Sequence, residues 1–456
     1  MFTIKEIQKI TRGKLINGCS CGKIKGISID TRSLRKGEAY VAIQGIYQDG
    51  HDFIFKALEK KAGLLIVSRP SLKGIPEDVP VLLVQDTTKS LGAIAKVYRS
   101  RFRIPVIAIT GSAGKTTTKE LIAQVLSARY RVLKNHASFN NQWGVPLTLL
   151  NLRAHHQAAV IEIGTNFPGE IAYLADIVRP TMAVFTNIGP AHLKGLGSIE
   201  AVYKEKTSLL KFLVKKGCVV FNEDDPYLRK LKSRKEIRAL SYGTNPQSGI
   251  QLKSCFLNKR CIFEGTVNRS LKLRLHTPVV ENMKNALAAI ACGRLLGLQS
   301  DQILKSLEKF RFSNARQDIE RVRGITVIND TYNANPLSFK SAVRTLAAIP
   351  VKGKRIAVCA DMLELGDMSR KLHEELGEFL AQCQIDVVLA HGAYMRFMAS
   401  VFEKHRSPNS RVKHYSRVSD IGRALSSLCA KGDVVLIKGS RSMKMERVVA
   451  YLKSRV

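Results

Sequence analysis

The chain has 456 residues, enough for two or three domains that each bury their own core. Apolar residues make up 45% and charged residues 24%, ordinary globular usage that excludes a disordered or fibrous chain. The formal net charge of +36 is spread along the sequence, without an Arg-rich tail, which favours a solvated basic surface over a nucleic-acid site, with attraction of an anionic substrate as a third reading.

No apolar run approaches the roughly 20 residues that a bilayer crossing needs, and the opening "MFTIKEIQKITRGK" has no hydrophobic block behind its charges. A cytoplasmic protein without membrane insertion is expected. Nine cysteines are scattered, and Cys19 and Cys21 lack the spacing of a zinc or redox site, so reduced structural thiols are expected.

In chain order, residues 1–100 mix short apolar runs with turn signals ("GISIDTRSLRKGEAYVAIQG", "VPVLLVQD") and predict a small mixed α/β domain. The stretch "SLGAIAKVYRSRFRIP" predicts a helix that stops before Pro105. Residues 101–312 alternate buried strands ("PVIAIT", "AAVIEIG", "MAVFTNIG", "GCVVFN") with amphipathic helices, the pattern of a parallel sheet in a P-loop, ATPase-like domain. A β-rich insertion is expected at about 236–276, then a long helix in "ENMKNALAAIACGRLLG" ending at a glycine. Residues 313–456 repeat the alternation ("ITVIND", "KRIAVCAD", "IDVVLAHG", "DVVLIKG") and predict a C-terminal, Rossmann-like α/β domain. The expected fold class is α/β in three domains.

The segment "AITGSAGKTTTKE" follows an apolar strand and opens a helix, with Gly111, Ser112, Ala113, Gly114, Lys115, Thr116 and Thr117 forming the loop. Its glycine spacing is not that of the usual phosphate-binding loop. Its physics is the same: backbone N–H groups and a positive helix end face an anion, Lys115 reaches the β- and γ-phosphates, and the Thr116 hydroxyl can ligate Mg²⁺. ATP is therefore expected. Glu162 ends one strand and His192 follows another, at the edge where open α/β sheets bind ligands, although each taken alone is as readily structural.

The set "ITGSAGKTTTKE", "SFNNQWGVPLTLL", "EIGTNFPGEI", "TNIGPAHLKGLGS", "NDTYNANPLSFKSA", "ADMLELGDMS" and "IKGSRSMKMERVV" resembles the Mur ligases, over nearly the whole chain. The glycine loop is shared with folylpolyglutamate synthetases, whereas "YNANP" and "DMLELG" are narrower and resemble the branch that adds D-alanyl-D-alanine. The resemblance implies ATP- and Mg²⁺-dependent joining of D-alanyl-D-alanine to a UDP-N-acetylmuramoyl-tripeptide through an acyl phosphate, by a monomer that binds no nucleic acid. A nucleic-acid-stimulated ATPase is the rival from another class.

Carried over by position, the resemblance gives Lys115, Glu162, His192 and Lys206 as catalytic, with Thr116, Glu162, His192 and a carbamylated Lys206 toward the metal. Lys204 is the alternative to Lys206 if the helix register differs. Asn282, Asn285, Arg316 and Asp330 join the loop residues at ATP, and Lys438 to Ser442 are a candidate carboxylate grip. Thr31, Arg32, Gly45, Asp49, Asn140, Asn141, Asn333 and Asn335 are expected at the substrates. The run Asn135 to Asn141 departs from the family's TxGNxNN, keeping only its last two asparagines.

Overall fold

The computed structural model describes residues 1–70, 73–234, 236–312 and 317–454. Its architecture is α/β, built on several mostly parallel sheets. The first is five-stranded, in the order Lys14–Asn17, Val81–Leu83, Leu64–Val67, Ala39–Val41, Ile27–Ser28, with only the first pair antiparallel. The helix Thr87–Ser100 follows, started by Asp86, whose side chain accepts from the Lys89 amide.

The central sheet has nine strands. Val106–Thr110 lies inside it, parallel to Ala158–Glu162 on one side and Met182–Phe185 on the other. All three strands are buried on both faces, which is why they read as unbroken apolar runs instead of alternating ones. Val132–Lys134 forms one edge. On the other side Cys218–Asn222, Arg238–Gly243 and Ile250–Leu257 continue in parallel.

The expected β insertion is an extension of this same sheet. Its last strands, Phe263–Val267 and Leu271–Leu275, pair antiparallel, so the sheet is mixed and not purely parallel as the alternation suggested. The connections at 258–262 and 268–270 are too short for a crossover, and only hairpins fit. The helix Val280–Leu295 then packs against Lys115–Leu126 so closely that a Cβ on Gly293 would meet Val125 at 2.9 Å.

The third sheet has six strands: Asp318–Val322 antiparallel to Ile325–Asp330, then Val434–Lys438, Arg355–Ala360, Val387–His391 and Arg411–Tyr415 in parallel. The helices Met395–His405 and Val418–Leu428 and the strand Arg411–Tyr415 complete it beyond the elements legible in the sequence. The helix Pro336–Ala348 begins at Asn335 with a reciprocal cap to Ser338 and a proline in its first turn.

Candidate active site

The chain leaves the carboxyl end of Val106–Thr110 at a point where neighbouring strands connect in opposite directions, the crevice where open α/β sheets receive ligands. Gly111 has φ 153°, and a Cβ there would lie 1.9 Å from Thr186 Oγ1. Gly114 has φ 77° at the start of Lys115–Leu126, where a Cβ would meet Asn285 Oδ1 at 2.9 Å. Both positions therefore demand glycine.

The loop is held from the next strand end. Ser112 N donates to Asn187 O (2.9 Å) and Ala113 N to Asn187 Oδ1 (2.8 Å), while Thr186 Oγ1 donates to Ala113 O (2.6 Å). Those two amides, expected at the phosphates, are thus committed to Asn187. The amides of the first helical turn, Lys115 to Thr117, have no intrahelical acceptor and are the ones left for an anion. Lys115 Nζ folds back to Gly111 O at 2.8 Å.

Glu162 is buried, and both its oxygens are engaged: Thr116 Oγ1 donates to Oε2 and Asn140 Nδ2 to Oε1, each at 2.7 Å. Asn135 brackets the Glu162 backbone, accepting from its N and donating to its O, both at 2.9 Å. The buried Lys119 ammonium donates to Asn135 O and Ala137 O at 2.7 Å. Ala137 stands at φ 45°, a left-handed turn held by Lys119 although no glycine is present. Asn141 faces its own chain: Oδ1 accepts from the Trp143 and Gly144 amides, shaping the turn before the helix Gly144–Leu150.

On Ile199–Thr207 the helix register buries Lys206 and leaves Lys204 exposed. Burial first, and then the charge of Lys115, hold the Lys206 ammonium well below the usual lysine range. His192, at φ 56°, has its Nδ1 2.7 Å from Glu364 Oε2 on the loop after Arg355–Ala360. The His192 hydrogen bond, outweighing partial burial, holds the Glu364 carboxyl below the usual glutamate range.

Asn285 accepts from Thr118 Oγ1 (3.2 Å) and donates to Asn282 Oδ1 (3.2 Å), while Asn282 donates to Thr277 (3.1 Å). This chain ties the long helix to the glycine-loop helix. Asp330 is buried against Lys438, whose Nζ lies 2.7 Å from Oδ2 and also donates to Asn333 O. Lys438 is thus a neutralised buried partner and not the open cation that its Gly-Ser turn suggested. Arg316 lies outside the described residues.

Across the cleft, Asn335 Nδ2 donates to Ser112 O at 3.1 Å, and Tyr332 OH bonds Ser138 Oγ. One cavity of about 820 Å³ collects Ser112 to Thr117, Asn140, Asn141, Glu162, His192, Asn282, Asn285, Asp330, Asn333 and Asn335. Its oxygen donors, Thr116 and Glu162 beside the helix start, are the hard ligands that Mg²⁺ takes with phosphates.

A second cavity of about 890 Å³ is walled by Asp30, Thr31, Arg32 and Gln48 on one side and Lys134, His136, Phe139 and Asn151 on the other. Arg32 turns its guanidinium to Asp30 at 2.7 Å. Gly45 and Asp49 do not line it: Gly45 closes a turn onto Gln48 O, and Asp49 pairs with His51 and Arg69. Asn187, Lys119 and Glu364 carry no site expectation from the sequence, although all three sit inside the motifs that carry the resemblance, and Asn135 enters there only as the first residue of a divergent run.

Family models match three stretches: Mur ligase family, catalytic domain over 23–99, Mur ligase middle domain over 109–293, and Mur ligase, glutamate ligase domain over 311–441. The chain belongs to the Mur ligase family. A Mur ligase of Bacillus subtilis (strain 168), named UDP-N-acetylmuramoyl-tripeptide--D-alanyl-D-alanine ligase, is 34% identical over 99% of this chain and 98% of its own length. The enzyme of that name from Escherichia coli (strain K12) is 33% identical over the same shares. A crystal structure of MurF from Acinetobacter baumannii superimposes with a TM-score of 0.90 at 29% identity, covering 99% of both chains. MurF ligase from Thermotoga maritima in complex with ADP gives 0.84 at 29% identity, covering 94% of this Mur ligase and 98% of that chain.

Proposed function

We propose that this Mur ligase joins D-alanyl-D-alanine to a UDP-N-acetylmuramoyl-tripeptide, driven by ATP, as a cytoplasmic step of peptidoglycan precursor synthesis. The observation that carries the reading is the convergence in one cavity of the glycine loop, the Thr116–Glu162 pair and the Tyr332–Asn335 turn from the opposite sheet. Relatives with that named activity span nearly the whole chain, and the likeness to an ADP complex supports ATP use. Among the described residues no helix is long and apolar enough to cross a membrane.

In this reading the uridine nucleotide lies in the second cavity, against Thr31 and Arg32, and the peptide's terminal carboxylate reaches the first. Lys115 and the first-turn amides hold the phosphates. The carboxylate attacks the γ-phosphorus, ADP leaves, and the resulting acyl phosphate is attacked by the dipeptide amine, releasing phosphate and one proton. A free carboxylate is a poor acyl donor, and phosphorylation supplies the leaving group.

Thr116, Glu162, His192 and a carbamylated Lys206 would hold Mg²⁺, which when bound neutralises the crowded anions. The depressed basicity of Lys206 suits carbamate formation, in which its neutral nitrogen adds to CO₂ and loses a proton. The Asn333–Asn335 turn would receive the dipeptide, and closure of the two sheets would exclude water from the acyl phosphate. The working unit is a monomer. Phosphate release that requires both UDP-N-acetylmuramoyl-tripeptide and D-alanyl-D-alanine tests the proposal; equal release with glutamate and a folate would overturn it.

A further inference from the structure

His192 and Glu364 are both non-glycine residues in the left-handed region, at φ 56° and 64°, and they face each other across the cleft. Such backbone persists where the surroundings enforce it, and strain of this kind gathers at functional sites. Two contacts fix the pair: His192 Nδ1 to Glu364 Oε2 at 2.7 Å, and Lys194 N to Glu364 O at 3.0 Å. His192 lines the cavity that holds Thr116 and Glu162. Its Nε2 has no hydrogen-bond partner among the described residues.

We propose that Glu364 is a positioning residue: by accepting from His192 Nδ1–H it fixes the tautomer that leaves Nε2 unprotonated and turned to the phosphate side of the cavity. A histidine that serves as a metal ligand donates its other ring nitrogen to a carboxylate in this way, which sets the ring and raises its basicity. The carboxylate here comes from the C-terminal sheet, whereas the histidine belongs to the central one. Ring orientation is therefore complete only when the two sheets meet. The metal-facing role of Nε2 rests on the function proposed above; the tautomer does not.

The test uses the full chain with ring-¹⁵N histidine, its ten histidines sorted by comparison with His192→Gln. In the wild type the His192 signal is expected to be Nδ1–H. Glu364→Ala should bring in the Nε2–H form, lower kcat about 10-fold with little change in the KM for ATP, and weaken Mn²⁺ binding in the presence of ADP by about 10–100-fold. Glu364→Gln, which keeps an acceptor, should restore much of the wild-type spectrum. The Glu364 side chain is 57% exposed, so neither variant removes core packing. An unchanged His192 spectrum in Glu364→Ala overturns the proposal. A changed spectrum with unchanged Mn²⁺ affinity supports the positioning and removes His192 from the metal site.

Discussion

Asn335 and Ser112 lie 223 positions apart in the chain, and Asn335 Nδ2 donates to the Ser112 carbonyl at 3.1 Å. The same side chain caps its own helix through Oδ1, which accepts from Ser338 N at 2.9 Å. The two jobs are separable by substitution. Asn335→Ala should lose about 1 kcal/mol of stability with the cap. Asn335→Asp keeps the acceptor and loses the donor, so denaturant unfolding should stay within a few tenths of wild type while turnover falls about 10-fold, equal to about 1.4 kcal/mol of barrier. Wild-type turnover in Asn335→Asp would show that the contact with the loop is idle.

Lys115→Met keeps the length of the side chain and removes its charge. Phosphate release should fall by more than about 100-fold, since the lysine is the only loop side chain that brings a full positive charge to the triphosphate. The measurement is ADP and ATP binding by calorimetry beside turnover. Nucleotide affinity at the wild-type level would remove the glycine loop from the ATP site.

Lys206 makes an opposite prediction for stability. Burial and Lys115 depress its folded-state basicity. Between that depressed value and the ordinary lysine value near about 10.4, the unfolded chain binds more protons than the folded one, so stability rises with pH through that window. Lys206→Met should therefore stabilise the protein in CO₂-free buffer near neutral pH, by roughly 1–2 kcal/mol, while abolishing most turnover. Bicarbonate should narrow the stability gap by converting the wild-type lysine to its carbamate. Thermal unfolding with and without bicarbonate reads both effects, and a destabilised Lys206→Met in CO₂-free buffer would contradict them.

Trp143 is the single tryptophan of the chain. It lines the cavity that holds the glycine loop and donates from Nε1 to Thr88 Oγ1 at 3.0 Å. Its emission should shift when ATP with Mg²⁺ or the uridine-linked substrate binds, and Trp143→Phe should abolish the signal with turnover kept within about 5-fold, since one neutral hydrogen bond contributes about 1 kcal/mol. A silent tryptophan at saturating ligand would place binding elsewhere.

The strands that build the site were legible because their burial on both faces leaves a continuous apolar run, as in Val106–Thr110 and Ala158–Glu162. The glycine loop was legible because its φ angles admit no side chain. Lys206 came from the resemblance with Lys204 as its alternative, and the helix separates two side chains that look alike in a basic sequence by burying Lys206 and exposing Lys204. Asn187, Lys119 and Glu364 escaped for a common reason. Each acts through partners distant in the chain, and a single sequence carries no sign of who faces whom. The antiparallel end of the central sheet was hidden because β-rich composition says nothing about strand direction.

The smaller-numbered half of the second cavity and the 133–151 stretch opposite it form one mould cast from two pieces. A chimera that exchanges only the first hundred residues with a relative would bring half of that mould and leave a mismatched seam. Recombination between relatives should succeed when both pieces travel together, which makes the two segments a single inherited unit despite the glycine loop lying between them.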